Sequence, residues 1–183
     1  MIFRAFDFLL SIIGLVFGAP VFVAIYLVAM FDTGAPLFFQ KRIGRFKKPF
    51  ILVKFRTMRQ DTDNVPTHLA PASSVTRLGY FLRRTKLDEL PQLWNVLVGD
   101  MSLVGPRPGL PSHTTLIDAR DCRGVFKARP GITGLSQLKG IDMSTPDLLA
   151  ETDAEMLRKL ALSTYFEYIF LTLIGRGRGD RIR

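Results

Sequence analysis

Between Asp7 and Asp32 the chain carries no charge: the 24 positions from Phe8 to Phe31 form one apolar run. As a single helix, rising about 1.5 Å per residue, it would reach roughly 36 Å, against a bilayer hydrocarbon core of ~30 Å. A spanning helix is the simplest reading. Pro20, after Gly18 and Ala19, sits near the middle. Proline lacks the backbone donor and its ring clashes with the preceding turn, so it bends or breaks a helix. Two halves of about eleven residues, about 17 Å each, would then enter one leaflet and return. Arg4 precedes the run, and Lys41, Arg42, Arg45, Lys47 and Lys48 follow it. Basic flanks favour the cytoplasmic side, so both readings leave the body of the chain in the cytoplasm. A signal peptide fits poorly: the run is long, Asp7 lies in its leading region, and no A-x-A-like site follows promptly.

With 183 residues the chain suggests one domain with an appendage. Its 15 phenylalanines and 48% apolar content exclude intrinsic disorder. A single cysteine, Cys122, excludes a disulfide scaffold or a multi-cysteine zinc site. His68 and His113 have no partner at ligand spacing. Lys and Arg total 25 against 16 Asp and Glu, a net charge of +9. That balance points to nucleic acid or to a membrane and its phosphorylated ligands. Nucleic acid recognition wants a basic face, a docking helix or stacking aromatics on strands. Here the cations cluster beside the apolar run and on glycine–proline loops, so no nucleic-acid partner is expected.

Leu37–Gln40 and Phe50–Phe55 read as strands joined by a turn at Arg45–Pro49, a short β-hairpin. Residues 59–76 are polar and proline-containing, a loop too long to be only a connection. A helical stretch opens at Leu78. Leu87, Leu90, Trp94 and Leu97 then recur at helical spacing until Gly99. Residues 100–113 and 129–134 read as glycine–proline loops, and 114–127 as a short helix. Thr145–Pro146 starts a helix running to about Leu162, with Thr as N-cap and Pro at the first position. Tyr165–Ile174 is too short to span; it lies on a bilayer or packs in the core. The expected class is α/β, mostly helical, in three parts. A membrane segment covers 1–32, a cytosolic body 33–174 and a basic tail 175–183 that contacts anionic lipid.

Asp88 and Glu89 are adjacent carboxylates, preceded by Arg83, Arg84 and Lys86. Pro91 places them near the amino end of the helix that runs to Val98, and Thr85 with Asp88 has capping-box spacing. Helix dipole and cations there favour ionised carboxylates, and the same surroundings bind phosphate. Arg107 lies between two prolines and Arg129 precedes Pro-Gly. Rigid loops holding single arginines suit bidentate phosphate recognition. Lys54 and Arg56 close the second strand with cations. Each feature alone also has an ordinary reading: a capped helix start, a turn arginine in a surface ion pair, an edge strand kept soluble by charge.

Together these residues resemble a known family. The chain is similar to bacterial sugar transferases of the small monotopic phosphoglycosyl transferase type. The resemblance rests on Arg4 and Phe6-Asp7; Gln40-Lys41-Arg42-Ile43-Gly44; and Lys54-Phe55-Arg56-Thr57-Met58. It continues through Thr76-Arg77-Leu78-Gly79 with Leu82-Arg83-Arg84-Thr85, and Leu87-Asp88-Glu89-Leu90-Pro91-Gln92-Leu93-Trp94-Asn95-Val96. Gly99 to Pro108 and Arg129-Pro130-Gly131-Ile132-Thr133-Gly134-Leu135-Ser136-Gln137 complete it, covering most of residues 4–140.

The resemblance implies an activity and a set of site residues. Such enzymes move a sugar-1-phosphate from a UDP-sugar to a polyprenol phosphate, typically undecaprenyl phosphate, the first membrane step of surface glycan assembly. By that likeness Asp88 would be the nucleophile and Glu89, with Asp88, would bind Mg²⁺. Arg83, Arg107, Arg129 and Lys54 would bind substrate phosphates. The family favours a re-entrant helix–break–helix at Pro20, interfacial helices, and a place on the cytoplasmic face of the bacterial inner membrane, in contact with its lipids. Two departures stand out. Ala19 replaces a serine common before the membrane proline, and Lys139-Gly140-Ile141 lacks a basic residue common after that glycine. The rival readings are a membrane-bound Mg²⁺-dependent nucleotide-sugar hydrolase, which makes no lipid product, and a non-enzymatic module that holds lipid phosphates and is indifferent to Asp88→Asn.

Overall fold

In the computed structural model, residues 2–60 and 72–177 are described. Helix α1 (Ile2–Thr33) comes first, followed by a hairpin of β1 (Leu37–Ile43) and β2 (Pro49–Phe55). Then come α2 (Arg77–Thr85), α3 (Gln92–Val98), β3 (Ser102–Val104) and α4 (Thr114–Cys122). The chain continues through β4 (Gly131–Thr133), the single turn α5 (Leu135–Leu138), α6 (Pro146–Lys159) and α7 (Leu162–Leu173). The fold is mostly helical with a short antiparallel hairpin.

The expected division of the N-terminal segment into two helices at Pro20 is not what the structure has. α1 is one helix with Pro20 inside it. A proline removes a single i→i−4 bond, and a helix bonded on both sides of the gap can continue through it. α1 is long and apolar enough to cross a membrane by length and composition. The body nevertheless touches it along its whole length. Arg4 donates to the Val96 and Leu97 carbonyls at 2.5 and 2.8 Å. Asp7 and Ser11 are buried. A Cβ at Gly14 would meet Leu93, and one at Gly18 would meet Leu90. Phe22 packs on Phe55 with ring centroids 4.9 Å apart, Ile25 joins Phe55 and Leu82 in one cluster, and Ala29 is buried. Gln60 donates to the Thr33 carbonyl at 2.6 Å. α1 thus runs antiparallel to α3. Its other face is bare and apolar: Phe8, Leu9, Ile13, Val16, Phe17 and Phe31 are exposed.

Two cores sit under α1. One gathers Leu52, Val96, Met101, Leu103, Val104, Met156, Tyr165 and Tyr168. The other is the Ile25–Phe55–Leu82 cluster, with Leu87 and Leu90 against it. Of the two alternatives for Tyr165–Ile174, packing in the core holds for one side of the helix. Tyr165 and Tyr168 enter the core, while Phe166, Phe170 and Leu173 on the other side of α7 are exposed.

The hairpin is longer in its first strand than its apolar residues suggest, with Leu37 opposite Phe55 and Ile43 opposite Pro49. β3 and β4 correct the reading of 100–113 and 129–134 as loops throughout. Ser102 pairs with Gly131 and Val104 with Thr133 in a parallel ladder. Three-residue strands are too short to show a period. Their close approach depends on glycine: a Cβ at Gly131 would lie 2.0 Å from the Gly105 nitrogen, and one at Gly105 would lie 2.5 Å from the Arg129 carbonyl oxygen. α6 begins at Pro146 as expected, but the Thr145 side chain makes no capping bond. The polar loop 59–76 falls mostly outside the described residues, as do His68 and the tail beyond Gly177.

Candidate active site

Asp88 and Glu89 sit in a single 3₁₀ turn, Leu87–Glu89, between α2 and α3. The pair lies near the amino end of α3, as expected, but outside the helix itself, which starts only at Gln92. Nor does Thr85 cap the carboxylate turn. Its hydroxyl donates backward to the Phe81 and Leu82 carbonyls, closing α2. Lys86 then takes a left-handed conformation (φ 59°) that reverses the chain. Its ammonium donates to the Arg176 carbonyl at 2.8 Å, so the segment after α7 lies beside the turn.

Three supports fix this turn. Leu87 and Leu90 are seated in the cluster shared by Phe22 and Ile25 of α1. Leu90 also faces Gly18, so the carboxylates lie abreast of α1 near Pro20. Asn95 ties α3 to β2: its side chain accepts from the Val53 N–H at 3.0 Å and donates to the Ile51 carbonyl at 2.8 Å.

Cations surround the pair from separate elements. Arg107, on the loop after β3, approaches Glu89 at 3.4 Å. Arg83 of α2 donates from Nε to the Thr57 hydroxyl at 2.8 Å. Lys54 of β2 stands 5.4 Å from the Phe38 ring centroid. Burial and Glu89 push Asp88 up to about 6, against the opposing pull of Lys54, Arg83 and Arg107. Burial, with Arg42, Arg83 and Arg107, brings Lys54 down to about 8. At neutral pH both are therefore predominantly charged.

The structure brings together Asp88, Glu89, Arg83, Arg107 and Lys54. It sets Arg129 apart. That guanidinium donates to the Gly99 carbonyl at 2.8 Å at the end of α3, and its charged neighbours are Arg4, Arg45 and Asp7. A cation on the last carbonyls of a helix is favoured by the dipole. Cys122 is exposed at the end of α4, and His113 precedes that helix.

Buried polar residues that motif reading left without a role hold the frame. Asp7 accepts from the Ser102 hydroxyl (2.9 Å), the Leu103 N–H (2.8 Å) and the Tyr165 hydroxyl (2.8 Å), joining α1, β3 and α7. Arg120 and Asp153 form a buried ion pair at 2.6 Å. Asp153 was detectable in principle, because it recurs at helical spacing with Leu149 and Met156 on the buried face of α6.

Among the described residues no group of three or more His, Cys, Asp or Glu could hold a metal ion. Two adjacent carboxylates nevertheless fit Mg²⁺, which keeps waters and binds through one or two carboxylates plus substrate phosphates. Paired carboxylates ringed by three cations, on a body docked along an apolar helix, mark a membrane-associated protein suited to polyanionic substrates. The chain belongs to the bacterial sugar transferase family, whose sequence profile matches residues 1–176. It is 38% identical over 182 residues to the UDP-glucose:undecaprenyl-phosphate glucose-1-phosphate transferase of Escherichia coli K12, covering 93% of this chain and 39% of that one. The protein of the same name in Xanthomonas campestris is 37% identical over 181 residues, 92% of this chain and 37% of that one. The sugar transferase EpsL of Bacillus subtilis is 40% identical over 138 residues, 75% of this chain and 68% of that one. The chain spans under two fifths of the length of the Escherichia coli and Xanthomonas relatives.

Proposed function

We propose that the protein transfers a sugar-1-phosphate from a UDP-sugar to undecaprenyl phosphate, with Asp88 as nucleophile. The observation that carries the reading is the ring of Lys54, Arg83 and Arg107 around an Asp-Glu pair that lies abreast of α1. The two relatives with matching names act on UDP-glucose and undecaprenyl phosphate. In the first step a carboxylate oxygen of Asp88 attacks the sugar-linked phosphorus. The bridging P–O bond of the diphosphate breaks, and UMP leaves with the electron pair. An oxygen of the lipid phosphate then attacks the same phosphorus, freeing the Asp88 carboxylate and giving a lipid-diphosphate-linked sugar. Covalent catalysis divides one difficult displacement into two. Arg83, Arg107 and Lys54 orient the phosphates and offset their charge. Glu89, with Asp88, would hold Mg²⁺, which neutralises charge on the diphosphate and the leaving group.

The same reading makes α1 an anchor that lies along the bilayer surface without crossing it, with the body on the cytoplasmic face of the inner membrane. Crossing a ~30 Å core takes about 20 residues free of the body. Contacts or buried positions at 4, 7, 11, 14, 18, 22, 25, 29 and 33 leave no such interval. The exposed apolar face of α1 meets lipid, as do Phe166, Phe170 and Leu173 of α7.

The test is UMP release from a panel of UDP-sugars with Mg²⁺ and undecaprenyl phosphate, for wild type and Asp88→Asn. Wild type alone should release UMP and yield a lipid-linked product. Full turnover by Asp88→Asn would refute the covalent step, and free sugar-1-phosphate as the sole sugar product would identify a hydrolase. Cysteines placed at both ends of 8–31 should both label from the cytoplasmic side.

A further inference from the structure

The loop that carries Arg107 is tied down at every residue. Gly105 donates to the Thr133 carbonyl at 2.8 Å, and the Pro106 carbonyl accepts from Gly131 at 2.9 Å. The Arg107 carbonyl accepts from Arg120 Nη1 at 2.8 Å, and the Pro108 carbonyl from Arg42 Nη1 at 3.0 Å. The Gly109 carbonyl accepts from the Ile43 N–H at 3.0 Å. Two of these five ties come from buried guanidinium groups. Arg120 is itself held. Its Nε and Nη2 donate to one oxygen of Asp153 at 3.0 and 2.6 Å, and the other oxygen accepts from the Ser136 hydroxyl at 2.9 Å. Arg120 is 3% exposed and Asp153 is fully buried.

An ion pair this deep is a weak source of stability, because taking both charges out of water offsets most of their attraction. Its geometry is specific instead. Arginine presents a planar fork: two of its nitrogens are fixed on Asp153, which leaves the third aimed at the Arg107 carbonyl. The backbone of Arg107 is thereby set by α4, α5 and α6, elements that contribute no side chain to the carboxylate site.

We propose that Arg120 and Asp153 are positioning residues for the transfer reaction, acting through the main chain of Arg107 to hold its guanidinium against Glu89 and the substrate phosphate. The inference rests on the reaction proposed above. A misplacement of about 1 Å at a reacting centre costs on the order of 10²-fold in rate, so loosening one carbonyl tie is readable in kcat.

The experiment is a double-mutant cycle of Arg107→Gln with Arg120→Lys, measured as UMP release alongside thermal melting. Lysine keeps the charge but serves Asp153 or the Arg107 carbonyl, not both. Arg120→Lys should lower kcat by about tenfold or more, with KM for the UDP-sugar within about threefold. In Arg107→Gln the same change should add less than about twofold, because the group it positions is gone. A purely structural role would lower the melting temperature, leave kcat unchanged below it, and make the two effects multiply. Should Arg120→Lys not fold, the neutral pair Arg120→Gln with Asp153→Asn enters the same cycle, with the same criteria. Folded variants with wild-type kcat, or multiplying losses, overturn the positioning role. Failure of the underlying reaction shows separately, as full turnover by Asp88→Asn.

Discussion

Gly79→Ala sets two physical effects against each other with opposite signs. Gly79 lies in the first turn of α2, where it donates to the Thr76 hydroxyl at 2.9 Å. In an exposed helix, alanine there would stabilise by up to about 1 kcal/mol. Yet a Cβ at this position would lie 2.0 Å from the Thr57 carbonyl oxygen and 2.7 Å from its carbon. An ordinary carbon–oxygen approach is about 3.3 Å, so α2 must withdraw by about 1.3 Å or the chain at Thr57, just past β2, must bend away. The obstacle is backbone, which cannot rotate aside. Overpacking of this kind costs about 1–3 kcal/mol; against unyielding backbone the upper end applies, and after subtracting the propensity gain of about 1 kcal/mol the net effect is a loss of about 2 kcal/mol, or about 4–8 °C in melting temperature for a chain of this size. The same shift stretches the Arg83–Thr57 bond, now 2.8 Å, and carries Arg83 away from Asp88. Thermal melting in detergent and UMP release at a temperature well below the melt are the assays. We expect both to fall, with turnover reduced by about tenfold or more. A melting temperature equal to or above wild type would refute the argument, because propensity would have prevailed and the close approach of α2 to Thr57 would not be real.

Two further outcomes concern the buried and titrating groups. Asp7→Ala strands three donors, the Ser102 hydroxyl, the Leu103 N–H and the Tyr165 hydroxyl. At about 1–3 kcal/mol for each unsatisfied buried donor, most of a typical domain's 5–15 kcal/mol is consumed. We expect little folded protein, with Asp7→Asn milder because it keeps an acceptor; an Asp7→Ala melt close to wild type contradicts this. The pH profile of kcat/KM should be bell-shaped. Asp88 is raised to about 6, so its carboxylate is lost as pH falls through that value; Lys54 is lowered to about 8, so its charge is lost as pH rises past it. Lys54→Arg should extend the alkaline limb, and an unmoved limb assigns it elsewhere.

Motif-bearing parts of the chain were readable because they combine turn chemistry with charge. The hairpin, the start of α6 at Pro146 and the Asp-Glu pair all appear where their residues indicate. Arg107 reads correctly as an arginine on a loop, and the structure sets it beside Glu89. Arg129 has the same local signature but is committed to the Gly99 carbonyl, because the partner of a guanidinium is set by tertiary packing rather than by the Pro-Gly beside it. The β3–β4 ladder was invisible for a different reason. Its strands are three residues each, and what pairs them is the absence of side chains at Gly105 and Gly131. α1 likewise passes Pro20 against residues distant in the chain, with Leu90 facing Gly18 and Leu93 facing Gly14.

Because the body meets α1 from Arg4 to Thr33, the anchor supplies one wall of the protein's interior. Ile25 completes the cluster beneath the carboxylate turn, and Asp7 closes the polar junction of β3 and α7. Cutting the chain after Thr33 to obtain a water-soluble catalytic fragment would therefore leave a trench lined by Leu90, Leu93, Phe55 and Tyr165 open to solvent. Exchanging residues 2–33 for an unrelated hydrophobic helix would restore lipid attachment without refilling that trench. In this fold the helix that is apolar enough for a bilayer is also the one that closes the core, so no cut separates the two roles.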